Sequence, residues 1–160
     1  MVGWLTALQD LPLVAGLRAS RWSYAAVNAS HIVGIALLFG TIVPLDLRLM
    51  GCWRSVSIRA LARILVPVAA AGLLLAIAAG ALLFSIRAVQ YAGTGLFQIK
   101  MALIFCGIGN ALLLRKATQW EAAVETIGAT PPLRLRAAGG LSIVLWLSVI
   151  VCGRMLGFLD

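Results

Sequence analysis

The chain has 160 residues, of which 62% are hydrophobic and 11% charged, with a mean hydropathy of +1.05. Soluble domains carry roughly 25% charged residues, so this composition excludes an ordinary soluble domain and points to a membrane protein. The net charge of +8 does not point to nucleic acid, because the basic residues have no aromatic interleaving and no soluble domain to present them.

The first basic residue is Arg18, whereas a secretory signal peptide places positive charge ahead of its apolar core; the start is therefore expected to be mature sequence. Trp4, Leu5, Leu8, Leu11 and Val14 have approximately helical spacing, broken by Pro12. This predicts a short N-terminal helix lying in the membrane interface.

Crossing the hydrocarbon takes roughly 20 apolar residues, and four stretches supply them: about 22–43, 64–86, 96–114 and 138–158. The expected fold is all-α, a single integral membrane domain over 1–160 built as a four-helix bundle. Span two lies between Arg63 and Arg87 with no charge inside, while spans three and four carry Lys100 and Arg154 near one end. Small residues mark sites of close helix approach: Gly72, Ala76 and Gly80 in span two, Gly107 in span three, and Gly153 with Gly157 in span four. Trp22, Tyr24, Trp53 and Tyr91 suit an aromatic belt at the interfaces. The connection KATQWEAAVETIGATPPLRLR, Lys116 to Arg136, reads as an amphipathic turn of helix stopped by Pro131 and Pro132.

Arg48, Arg54, Arg59 and Arg63 fall between spans one and two, and Arg115, Lys116, Arg134 and Arg136 between spans three and four. The opposite side has Arg18, Arg21 and Arg87, with Lys100 and Arg154 at helix ends. The positive-inside rule then places both basic connections in the cytoplasm and both termini in the periplasm of a bacterial inner membrane. Asp46, at the basic end of span one, is expected to tie that helix end to a neighbouring arginine, with a proton or cation relay as the alternative.

His31 is the only histidine of the chain. It lies roughly 13 Å along span one from Trp22, too deep to snorkel. Tyr24 and Asn28 share its helical face above, with Ile35 and Leu38 below, so this stripe should face the bundle. Lys100 and Arg154 approach the same outer half from spans three and four, joined by Gln98 and with Arg87 at the rim. No carboxylate accompanies them. Cations beside an imidazole suit an anionic guest, and the expected cofactor-binding set is His31, Asn28, Lys100 and Arg154.

A b-type haem meets that description: an imidazole ligates iron, apolar helices sandwich the macrocycle, and Lys100 with Arg154 neutralise propionates. With one histidine per chain, a bis-histidine haem would require a second chain, hence a homodimer or a larger membrane complex. Cys52, Cys106 and Cys152 form no ligand pattern and read as small apolar fillers; copper is the alternative metal for His31, with Cys106 at a similar depth. A cofactor-free assembly subunit of a membrane complex is the third reading. No nucleophile with a base, phosphate loop or paired carboxylates is apparent, which disfavours hydrolysis and phosphoryl transfer.

HIVGIALLFGTIVPLDLRLMG in span one and YAGTGLFQIKMALIFCGIGN in span three resemble an uncharacterised family of small four-helix bacterial membrane proteins, over nearly the whole chain. More distantly, a histidine in one helix paired with a lysine heading another, followed here by Asn110, is similar to the copper-resistance D family and to HemJ-type protoporphyrinogen oxidases. The resemblance implies a membrane bundle, with haem b and porphyrin chemistry in the HemJ case and copper handling in the other. His31 and Lys100 are the residues it carries over, and the HemJ likeness implies a redox or porphyrin-related role.

Overall fold

A computed structural model of the chain describes residues 3–116, 120 and 128–158. In chain order its helices are α1 (Gly3–Gln9), α2 (Pro12–Ala19), α3 (Arg21–Met50), α4 (Ile58–Ile86), α5 (Ala88–Ala92), α6 (Gly95–Lys116) and α7 (Leu133–Leu156). Among the described residues no strand occurs. Lipid favours this outcome, because a spanning segment must satisfy its own backbone N–H and C=O groups. Helices α3, α4, α6 and α7 are long and apolar enough to cross a membrane. The molecule is a multi-pass membrane protein built as a four-helix bundle.

The first two spanning helices outrun the apolar stretches that announce them. Helix α3 continues through Pro44 to Met50, and α4 begins at Ile58, well before Pro67. Each proline removes one intrahelical hydrogen bond, a loss that membrane helices absorb through their neighbours and local adjustment. Arg48 therefore sits on α3, Arg59 and Arg63 sit on α4, and the connection shrinks to residues 51–57.

That connection is tightly specified. Gly51 has φ 107, a conformation glycine adopts without a Cβ penalty. There the Cys52 N–H donates to Leu47 O at 3.0 Å and the Gly51 N–H to Arg48 O at 3.1 Å, the two bonds of a Schellman stop. The fully buried Arg48 then holds the loop, donating from Nε to Val56 O at 2.6 Å and from Nη2 to Arg54 O at 3.1 Å. Ser57 Oγ accepts from the Ala60 N–H at 3.3 Å and opens α4 as its N-cap.

Asp46 departs from its expected role. It is buried, and Ser142 of α7, rather than an arginine, lies beside its carboxyl group. Residues two apart on a helix point in roughly opposite directions, so Arg48 turns to the loop while Asp46 turns to α7.

Packing follows the small residues. A Cβ on Gly34 would lie 2.6 Å from Ala76 N, and one on Gly72 would lie 2.7 Å from Leu38 N. The α3 and α4 backbones are thus nearly in contact, the arrangement small residues permit where lipid supplies no hydrophobic drive between helices. Gly139 of α7 approaches α3 in the same way, with Asp46 O at 2.8 Å from its Cβ position. Gly107 of α6 accommodates the buried Trp146 ring of α7, 3.1 Å from the corresponding position.

The resulting order across the bundle is α4, α3, α7, α6, with each helix packed on its neighbour in that series. Helices α4 and α6, at its two ends, do not pack along their lengths. They face each other across a seam.

The interfacial segment is two helices rather than one, because Pro12 sits at the first turn of α2, where its missing N–H costs nothing. Both pack on the end of the bundle that also carries α5. Leu5 and Val14 are buried there, and Arg18 Nη2 caps α4 by donating to Ile86 O at 2.9 Å. Most of the Lys116–Pro132 connection, including its expected helical turn, lies outside the described residues; Pro132 is the N-cap of α7.

Candidate functional site

At the end of the bundle carrying α1, α2 and α5, the four long helices surround a cavity of about 440 Å³, within the size range of small-molecule and cofactor sites. Tyr24, Asn28 and His31 line it from α3, Lys100 from α6, and Arg154 from α7, with Arg87 at the end of α4. The four residues expected to form a site thus share one cavity. Gln98 does not join them; its Nε2 donates to Ala92 O at 3.3 Å.

His31 is held by α4. Its Nδ1 lies 2.8 Å from Ala76 O. A carbonyl oxygen only accepts, so Nδ1 carries the hydrogen and Nε2 is the ring nitrogen left for a ligand. Gly80, one turn further along α4, makes room for the ring: a Cβ there would lie 3.0 Å from His31 Cε1. The expected hydrogen bond through Asn28 or Ser30 is not the one made, since Ser30 Oγ donates within its own helix to Ala26 O at 2.9 Å.

Lys100 reaches from α6 to α7. Its Nζ lies 3.5 Å from the Cβ position of Gly153 on α7, and a side chain at that glycine would crowd the ammonium. Arg154, the next residue, places its guanidinium 4.6 Å from the Phe158 ring centroid, a cation–π contact that orients the group at the cavity's edge.

The remaining wall is aromatic. Phe84 of α4 stacks on Phe97 of α6 with centroids 4.9 Å apart, and Tyr91 of α5 lies 6.5 Å from Phe97. This trio bridges the seam at the end that carries α1, α2 and α5. Tyr24 and Tyr91, two of the residues expected in an aromatic belt, line the cavity, while Trp22 and Trp53 are exposed near helix ends. Phe84, Phe97 and Gly80 were not picked out by sequence as site residues. For Gly80 the signal was present in its register with Gly72 and Ala76, whereas the phenylalanines resemble any lipid-facing side chain.

Cys106 is exposed on α6 and does not line the cavity. The imagined His31/Cys106 pair is not assembled, and among the described residues no three His, Cys, Asp or Glu side chains cluster.

Fold and cavity together define a multi-pass helical membrane protein with a polar-lined pocket at one end. Comparison of the chain with protein-family models, curated proteins and solved structures finds no match.

Proposed function

We propose that the protein is a bacterial inner-membrane haem-b-binding protein with a redox or porphyrin-related role, His31 Nε2 serving as the iron ligand. The observation that carries this reading is the 2.8 Å bond from His31 Nδ1 to Ala76 O, which orients the imidazole as a hydrogen bond from the far ring nitrogen orients metal-ligating histidines. The surrounding groups fit the remaining demands of the group. Lys100 and Arg154 match two carboxylates at the cavity's edge, and Phe84, Phe97 and Leu83 offer an apolar wall. Haem iron would supply electron transfer or small-molecule binding; the chain's residues hold it, orient it and neutralise its anionic edge.

The same reading sets the orientation: the α3–α4 and α6–α7 connections face the cytoplasm, the cavity faces the periplasm, and both termini are periplasmic. Because the chain has one histidine, a low-spin spectrum would report either a haem shared by the histidines of two chains or a second ligand other than histidine, whereas a high-spin spectrum would report an open position.

The test is an absorption spectrum of protein expressed with ample haem and extracted gently. Wild type should show a Soret band. His31→Ala should lose it while still inserting normally, and Lys100→Ala should weaken retention. A colourless wild-type protein that retains copper would replace haem with copper at His31; a colourless, metal-free protein would leave an assembly role.

A further inference from the structure

At the opposite end of the bundle, the seam between α4 and α6 widens into a second cavity, of about 520 Å³, lined by Arg59, Ala62, Arg63, Val66, Pro67, Arg115 and Trp120. Arg59, Ala62, Arg63, Val66 and Pro67 recur at helical spacing and share one face of α4. Arg115 closes the last turn of α6 from across the seam. Trp120 is half-buried against the Leu49–Ile58 core.

The cavity is therefore graded. Its mouth is cationic and its depth is apolar, and it opens between two helices that meet through Phe84 and Phe97 at the far end but do not pack along their lengths. Among the described residues, neither Arg63 nor Arg115 has a hydrogen-bond or ion-pair partner. Guanidinium groups recognise phosphate oxygens through paired N–H donors, and basic pockets between membrane helices are a known setting for anionic lipid headgroups.

We infer that this groove is a binding site for one anionic phospholipid, with its phosphate between Arg63 and Arg115 and an acyl chain along Ala62, Val66 and Pro67 in the α4–α6 seam. Positive charge placed only for membrane topology has no reason to converge. Arg134 and Arg136, at the start of α7 on the same end, are exposed and do not line the groove. They provide the internal comparison. The site lies at the other end of the bundle from His31 and does not depend on the haem reading.

The experiment is native mass spectrometry of the full chain released from nanodiscs of equimolar phosphatidylglycerol and phosphatidylethanolamine. Wild type should retain one phosphatidylglycerol in preference to phosphatidylethanolamine, and millimolar inorganic phosphate should not displace it. The double variant Arg63→Gln/Arg115→Gln should lose that preference by roughly 30-fold, the expectation for two basic residues near a lipid surface. Arg134→Gln/Arg136→Gln should keep it. Equal retention of both lipids by wild type would overturn the proposal without any variant having to fold. Equal loss from both double variants would reduce the effect to general surface charge, and displacement by inorganic phosphate would make the groove an oxyanion site without a lipid.

Discussion

An imidazole inside a bundle is tolerated when its N–H has a partner, and here Ala76 O provides one at 2.8 Å. The same carbonyl lies within a helix, so α4 orients His31 through its backbone and no side chain is needed. Gly80 is the position on which this arrangement depends. Its Cβ position lies 3.0 Å from His31 Cε1 and 3.3 Å from Nδ1, so Gly80→Ala must displace the ring by a few tenths of an ångström and lengthen the Ala76 bond. Disturbing the group that orients a metal-ligating histidine typically weakens binding by about 10- to 100-fold. Gly80→Ala protein should therefore reach wild-type levels in the membrane yet take up haem with that loss in a titration followed at the Soret band. Unaltered affinity would mean that the Ala76 bond has no part in orienting a ligand.

Helix pairing in this protein depends on a few missing side chains. The α3–α4 contact is set by Gly34 and Gly72, whose Cβ positions lie 2.6 Å and 2.7 Å from backbone nitrogens of the opposite helix. Neither backbone atom can swing aside as a flexible side chain would. Gly34→Ala must push the helices apart, and overpacking of this kind costs about 1–3 kcal/mol. Thermal unfolding in detergent should show a lowered midpoint for Gly34→Ala. Gly40→Ala, also on α3 but with no heavy atom within 4 Å of its Cβ position, should match wild type. An equal effect at both positions would assign the loss to something other than helix approach. The α3–α7 pair obeys the same logic through Gly139, which is why the buried Asp46 meets Ser142 instead of an arginine.

Across the whole molecule, charge and cavities are divided between the two ends of the bundle. One end has the His31 cavity closed laterally by Phe84, Phe97 and Tyr91; the other has the arginine-lined groove. With the basic connections cytoplasmic, reporters fused at either terminus should behave as periplasmic: alkaline phosphatase active, a cytoplasm-dependent fluorescent protein dark. The reverse pattern would turn the molecule over and put the His31 cavity on the cytoplasmic side. Both cavities border α4 and α6, which among the described residues are successive spanning helices that do not pack along their lengths. A bundle closed on all four sides would have filled that space.

How much of this was legible in the residues follows from what hydropathy measures. Transfer into lipid is a property of each stretch alone, so four spans, their order and the all-α class could be read along the chain, and the glycine spacing in α4 announced a close approach. The Tyr24, Asn28, His31 stripe was legible too, because helical periodicity places those residues on one face whatever surrounds them. Helix ends were less so: the apolar stretches stop near residue 43 and start near residue 64, whereas α3 runs on to Met50 and α4 begins at Ile58. The partners were not legible at all. That His31 would meet Ala76 O, that Lys100 would cross to Gly153, and that α4 and α6 would leave a seam depends on how each helix is rotated about its axis against its neighbours. Lipid is as apolar as leucine and gives no pattern by which sequence could mark an apolar face as turned to another helix. Only the fit of backbone against backbone at Gly34, Gly72 and Gly139 selects those rotations, and that fit exists only in the assembled bundle.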